Sequence, residues 1–206
     1  MSTSAKPYIG RTGSEFARAG LLLAALAAAG AAVVDVVRAV VSSGATLAVT
    51  LAEGTRTPSL EGLPAGTSVD LLAETVELSV DTLPLGLRLF ATAGPVLLLL
   101  SVAAGAWCLA GLVRSVRAGQ PFDRRNPARL VGVALAVLAG GLLAPVVRDL
   151  AGIAVLESTG LVGPGSPFAV AATLSFAPIL GAVLLLVVAE AFRRGAALSD
   201  EVEGMV

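Results

Sequence analysis

Four long apolar stretches organise the chain, and each is bounded by segments where charge, glycine and proline collect. A helix needs about 20 mostly apolar residues to cross the hydrocarbon core of a bilayer. On that measure spans are expected at about residues 19–41, 87–113, 128–147 and 168–192. Between the first two the pattern changes. Thr46-Leu47-Ala48-Val49-Thr50-Leu51 and Thr75-Val76-Glu77-Leu78-Ser79-Val80 partly alternate polar and apolar residues, the period of a strand. Gly54, Pro58, Gly62, Pro64 and Gly66 separate them with turn signals. The fold class that follows is an all-α integral membrane protein, one membrane domain over residues 1–206. It has four transmembrane helices and a small β-rich extracytoplasmic loop, about 45–83, between helices 1 and 2.

Local signals sharpen these boundaries. Thr12 and Glu15 have capping-box spacing before the first span. Lys6, Arg11 and Arg18 also precede an apolar run as they would in a cleaved leader, but the run continues too far for one. Asp35 and Arg38 share a helical face and can neutralise one another. Gly119 suits a C-terminal cap, with Pro121 blocking continuation. Asn126 then Pro127 reads as an N-cap and first helical residue. Pro95 lies in the first turns of span two, Pro145 predicts a bend in span three, Pro178 falls within span four, and Gly195 caps it.

Composition agrees and narrows the chemistry. The chain is 56% hydrophobic and 14% charged, against about 25% charged in soluble domains. A net charge of −1 gives no basic excess for direct nucleic-acid binding. Histidine is absent and Cys108 is the only cysteine, which removes imidazole catalysis, His ligands, internal disulfides and Cys-clustered zinc. No phosphate loop, nucleophile elbow or zincin motif is present. No catalytic residue, metal site or cofactor is expected, and the chain is not read as an enzyme. One lysine against thirteen arginines, with abundant Ala, Gly and Val, looks like a GC-rich bacterial genome.

The basic residues near helix ends divide ten to four. Lys6, Arg11, Arg18, Arg114, Arg117, Arg124, Arg125, Arg129, Arg193 and Arg194 fall on one side; Arg38, Arg56, Arg88 and Arg148 fall on the other. The positive-inside rule then places both termini, the loop 114–127 and the tail 195–206 in the cytoplasm of a bacterial cell membrane.

The loop is the most distinctive segment: five arginines and Asp123 lie within 114–129. That patch would face anionic lipid or an acidic partner, with Phe122 as apolar anchor; topology and capping are the plainer explanation. In the tail, Leu198, Val202 and Val206 make a stripe beside Asp200, Glu201 and Glu203. It either folds back on the membrane or the loop, or stays solvated. Glu190 is an ionisable residue near the inner end of span four, with Arg193 and Arg194 spaced to neutralise it. Gly132, Ala136, Gly140 and Ala144 form a small-residue stripe for close packing against another span or a second copy. Trp107 and Cys108 read as packing residues. The outer acids Asp70, Glu74, Glu77 and Asp81 lack calcium-loop spacing and read as solvated charge. A faint parallel repeat, Val36-Val37-Arg38 against Val146-Val147-Arg148, would pair Arg38 with Asp149 and Arg148 with Asp35; coincidence explains it equally well.

Gly119-Gln-Pro121-Phe122, then Asn126, then Arg129-Leu130, resembles the bacterial four-helix membrane family catalogued as domain of unknown function 2975. The tail is similar through Glu190-Ala-Phe192-Arg193-Arg194-Gly195-Ala-Ala-Leu198, Asp200-Glu201 and Glu203-Gly204-Met205-Val206. Met205 stands where the family's Thr is expected. The family has no assigned reaction. Its members are often encoded near small helix-turn-helix regulators, which implies membrane signalling or control of a transcriptional regulator.

The candidate interaction motif is therefore Arg117, Gly119, Pro121, Phe122, Arg124, Arg125, Asn126, Arg129, Glu190, Arg193, Arg194, Gly195 and Leu198. Expected partners are membrane lipid, a cytoplasmic protein or regulator, and a second copy of the chain. A regulatory or interaction role comes first. A small transporter or channel is the alternative, because prolines at 95, 145 and 178 interrupt spans, although no polar stripe lines a pore.

Overall fold

A computed structural model describes residues 11–50, 67–72, 75–161 and 174–203. The protein is mostly helical: α1 is Arg11–Val41, α2 Leu85–Arg117, α3 Asn126–Leu138, α4 Ala144–Ser158 and α5 Ala177–Glu203. A π-helical turn, Ala139–Leu143, joins α3 to α4. Three strands, β1 (Ala45–Thr50), β2 (Thr67–Leu72) and β3 (Thr75–Val80), lie between α1 and α2.

Three helical runs are long and apolar enough to cross a membrane: Gly13–Val41, Leu85–Arg117 and Asn126–Ser158. Their faces are those of helices that shun water on the outside. In α1 the buried residues are Ala25, Ala28, Ala32 and Ala39, while Leu23, Leu26 and Val33 are all more than 60% exposed. In α5 Ala182, Ala189 and Ala196 are buried and Leu184 and Val187 are exposed. A soluble amphipathic helix does the reverse. Small residues inward let backbones approach closely, and large apolar ones outward suit a lipid solvent.

The third run departs from its expected limits. It continues to Ser158, well past the end expected near residue 147, so Arg148 and Asp149 lie within α4. They bond to one another (Nη2–Oδ1 3.2 Å), which lowers the cost of carrying both in the helix. The outward pairs suggested by the faint repeat are not formed among the described residues: Arg148 is turned to its own neighbour. Pro145 perturbs the run without ending it. Its missing N–H and its ring deny the preceding turn a regular bond, and the chain widens into the π turn directly before it. The real stop is Gly160, at φ +70°. Its N–H bonds to the Glu157 carbonyl at 3.1 Å and that of Leu161 to Leu156 at 3.0 Å, a Schellman closure.

The expected fourth span, α5, also differs. It begins at Ala177, leaving Pro178 in its first turn, where a missing N–H does no harm. Residues 168–173 lie outside the described residues. The helix then runs unbroken to Glu203, so Gly195 is internal and does not cap it. Ala196, Ala197 and Leu198 are strong helix formers that carry the helix past the glycine. Its uncharged part, 177–189, rises only about 20 Å at 1.5 Å per residue.

The loop between α1 and α2 forms a three-stranded antiparallel sheet of order β1-β3-β2. Alternation marked β1 and β3, which pair with Leu47 opposite Leu78 and Ala45 opposite Val80. β2 was not among the expected strands, although its Ser68-Val69-Asp70-Leu71 does alternate. The turn residues from Gly54 to Gly66 lie outside the described residues.

The chain divides into two compact units. Unit 1 comprises Met1–Ala29, Leu100–Leu138 and Phe176–Val206; unit 2 comprises Gly30–Leu99 and Ala139–Ser175. In unit 2 one sheet face supplies Leu47, Leu78 and Val80 to a core with Leu83, Ala91, Val155 and Leu156. In unit 1 α3 packs along α5, with Gly181 facing Val137, and also against α2. Gly132 and Ala136, the first two members of the small-residue stripe, find their neighbour there in α2. A methyl at Gly132 would lie 2.9 Å from Cys108 Sγ, and one at Gly105 would lie 3.5 Å from Ala136 Cβ. Trp107 is no core residue: it is 67% exposed on α2. Its large ring fits the outward apolar face better than a small-residue interface.

Candidate functional site

All thirteen residues of the candidate motif belong to unit 1. Their arrangement starts at the end of α2. Gly119 takes φ +73°, its N–H bonding to Val116 at 3.1 Å while that of Gln120 bonds to Ser115 at 3.0 Å. This second Schellman closure reverses the chain sharply. Asp123 N–H bonds to the Gln120 carbonyl (3.2 Å), and Asp123 Oδ1 accepts from Arg125 N–H (3.0 Å), so the turn is held at each step.

Asn126 is the hub. It is fully buried, and its side chain does not act as the N-cap its position suggested. Nδ2 donates to the Pro121 carbonyl at 2.9 Å, and Oδ1 accepts from Ser115 Oγ at 2.8 Å and Arg129 Nη1 at 2.9 Å. Arginine can only donate and the carbonyl only accept, which fixes the orientation of the amide. The Arg129 N–H, which a capping side chain would accept, bonds instead to the Arg125 carbonyl at 3.1 Å, leaving the Asn126 side chain for these three partners. Arg129 Nη1 also donates to the Gly111 carbonyl at 2.8 Å, and a methyl at Gly111 would sit 2.8 Å from Arg129 Nε. One buried amide thus ties the end of α2, the loop and the first turn of α3 together.

Phe122 joins the loop to α5. Its ring lies 5.8 Å from that of Phe192, tilted by 47°. It also occupies the space above Gly195, where a methyl would come 2.6 Å from Cε1. Gly195 is therefore the seat of Phe122. The ring remains 47% exposed.

Several charged members of the motif form ion pairs. Arg117 Nη2 lies 2.6 Å from Glu15 Oε1 on α1, although Glu15 had read as half of a capping box. Glu190 accepts from Arg193 Nε (2.7 Å) and Arg194 Nε (2.9 Å), as their spacing predicts. Arg124, Arg125, Pro121 and Leu198 are exposed. Ser115, Gly111, Phe192 and Glu15 complete the arrangement but were not singled out in sequence as part of it. Glu15 and Arg117 are 102 residues apart, and no local pattern signals such a pair.

The described residues hold no cluster of three or more metal-ligating side chains. The arrangement has hydrogen-bond and apolar partners but no nucleophile set beside a base.

The family model described as Protein of unknown function (DUF2975) matches residues 62–206. The chain belongs to that family. Among curated proteins and among solved structures, nothing matches it. The DUF2975 match takes in all thirteen motif residues, whereas Glu15 and the whole of α1 fall before it. In this DUF2975 chain the GQPF–N–R residues have a common physical role: they lock the α2–α3 turn and seat it on α5.

Proposed function

We propose that the protein is a multi-pass protein of the bacterial cell membrane, with four spans and cytoplasmic termini, that binds a cytoplasmic partner through its α2–α3 loop. The partner would be an acidic segment of a protein, including a transcriptional regulator. The observation that supports this reading is the construction of the loop. A topological signal requires only positive charge near a helix end. Here a buried amide, two closing hydrogen bonds and a seated phenylalanine hold a turn that displays Arg124 and Arg125. A rigid display loses less entropy on binding than a mobile one.

Because Phe122 already packs on α5, a crosslinker there would mainly report the chain's own helix. Gln120 is exposed and contributes only its backbone to the turn. A photoreactive residue at Gln120, activated in intact membranes, is expected to capture one recurrent protein. Arg124→Gln with Arg125→Gln should abolish that capture without lowering the amount inserted. Capture of lipid alone, or equal protein capture by the doubly neutralised chain, overturns the proposal.

A further inference from the structure

Unit 2 contains a recess of about 890 Å³, lined by the end of α1, the start of β1, the end of β3 and the first turns of α2. That volume falls in the range of small-molecule sites. Two arginines and two aspartates face it: Arg38 and Arg88, Asp35 and Asp81. Opposite charges sharing one recess would ordinarily close on each other, yet none of these four side chains forms an ion pair among the described residues. Arg88 carries a further cost. Its Nε is buried with no hydrogen-bond acceptor, and an unmet buried donor is unfavourable. Thr46 and Ser79, paired across β1 and β3 at 3.4 Å, add hydroxyls to the same wall.

We propose that this recess binds a small zwitterion that carries an oxyanion and an ammonium group. The oxyanion is assigned to Arg88. A guanidinium offers Nε–H and one Nη–H side by side, the spacing of two oxygens on a carboxylate or phosphate. A turn of the Arg88 side chain toward the recess would supply its unpartnered donor with an acceptor. The ammonium is assigned to Asp35, the less exposed of the two aspartates. The lining charges sum to zero, which disfavours a bare dianion beside Asp35 and Asp81. A free zwitterion and a phosphatidylethanolamine headgroup share this chemistry. The inference rests on unit 2 alone and is independent of the partner proposed for the loop.

The test uses the full chain in phosphatidylglycerol nanodiscs, titrated calorimetrically with O-phosphoethanolamine. Saturable binding is expected, weakened about tenfold or more in both Arg88→Gln and Asp35→Asn. Arg148→Gln removes an arginine of the same unit that does not line the recess, and should bind as the parent does. Inorganic phosphate should bind more weakly than O-phosphoethanolamine in the parent chain and lose less in Asp35→Asn. Native mass spectrometry from discs containing phosphatidylethanolamine identifies the source. One retained lipid that Arg88→Gln loses assigns the headgroup; soluble binding without lipid retention assigns a free ligand. If Arg88→Gln does not fold, Asp35→Asn carries the decision. Absence of saturable binding to either zwitterion overturns the site, as does unchanged affinity in the variants. Phosphate binding as tight as that of O-phosphoethanolamine overturns the zwitterion.

Discussion

Asn126 and Gly195 show how much of the loop depends on single atoms. Replacing Asn126 by Ala removes the acceptor of Arg129 and Ser115 and the donor to Pro121 at once. Arg129 Nη1 keeps the Gly111 carbonyl and Ser115 Oγ the Leu112 carbonyl, so the loss is that of the three hub bonds, each contributing about 0.5–1.5 kcal/mol and more where the donor is charged. Asn126→Ala should therefore lower the unfolding midpoint in mixed detergent clearly, and a midpoint equal to the parent's would remove the hub from the account. Gly195→Ala sets two effects against each other. Alanine favours a helix over glycine by about 1 kcal/mol, but its methyl would meet the Phe122 ring. That ring is half exposed on a loop and can swing away, so global stability should change little. Hydrogen exchange at 118–125 should instead accelerate, and in Phe122→Ala the same glycine substitution should have no further effect on it. Unchanged exchange in Gly195→Ala would mean that the ring does not hold the loop.

At the level of elements, the glycines rank themselves by what stands opposite. Gly30 in α1 has nothing within 4 Å of an added methyl, so Gly30→Ala should stabilise α1 by up to about 1 kcal/mol. At Gly132 the obstacle is the Cys108 sulfur, a side-chain atom that can rotate. At Gly94 a methyl would fall 2.9 Å from the Ala144 carbonyl and from Arg148 Cα, backbone that cannot yield without moving α4. Overpacking of that kind usually costs about 1–3 kcal/mol. Reversible unfolding should therefore order the variants Gly30→Ala, Gly132→Ala, Gly94→Ala from most to least stable; any inversion of the outer two refutes this packing. The same elements show what sequence can reveal. Hydropathy located α1 and α2 because a long apolar run has few other uses, and Gly119 was legible because left-handed backbone at a helix end favours glycine. The stop at Gly160 was hidden by Arg148 and Asp149, which read as a boundary until their mutual bond is seen. Asn126 was noticed for the wrong reason: its spacing resembles a cap, but its partners Ser115 and Pro121 belong to the preceding helix and loop.

For the molecule as a whole, charge and surface point the same way. Among the described side chains, unit 1 holds Arg18, Arg114, Arg117, Arg124, Arg125, Arg129, Arg193 and Arg194, whereas unit 2 holds Arg38, Arg88 and Arg148. The outward faces of α1, α2 and α5 carry large apolar side chains that water would disfavour. The positive-inside rule then predicts a cytoplasmic loop at Gln120 and an external sheet junction at Ser43. Cys108 is the only cysteine, so its replacement by alanine gives a background for single-cysteine labelling. Gln120→Cys should react with an impermeant maleimide only after the membrane is opened, whereas Ser43→Cys should react in intact cells. Labelling of both from the same side would mean that α2, the one expected crossing between them, does not span. Whether α5 also crosses is a separate question, since its uncharged part rises only about 20 Å. A third cysteine at Leu198 separates the cases. With Asn126–Ser158 crossing once, cytoplasmic labelling there, as at Gln120, requires α5 to cross back. External labelling would leave a single crossing after the loop and reduce the protein to the three helices whose length and composition already suffice.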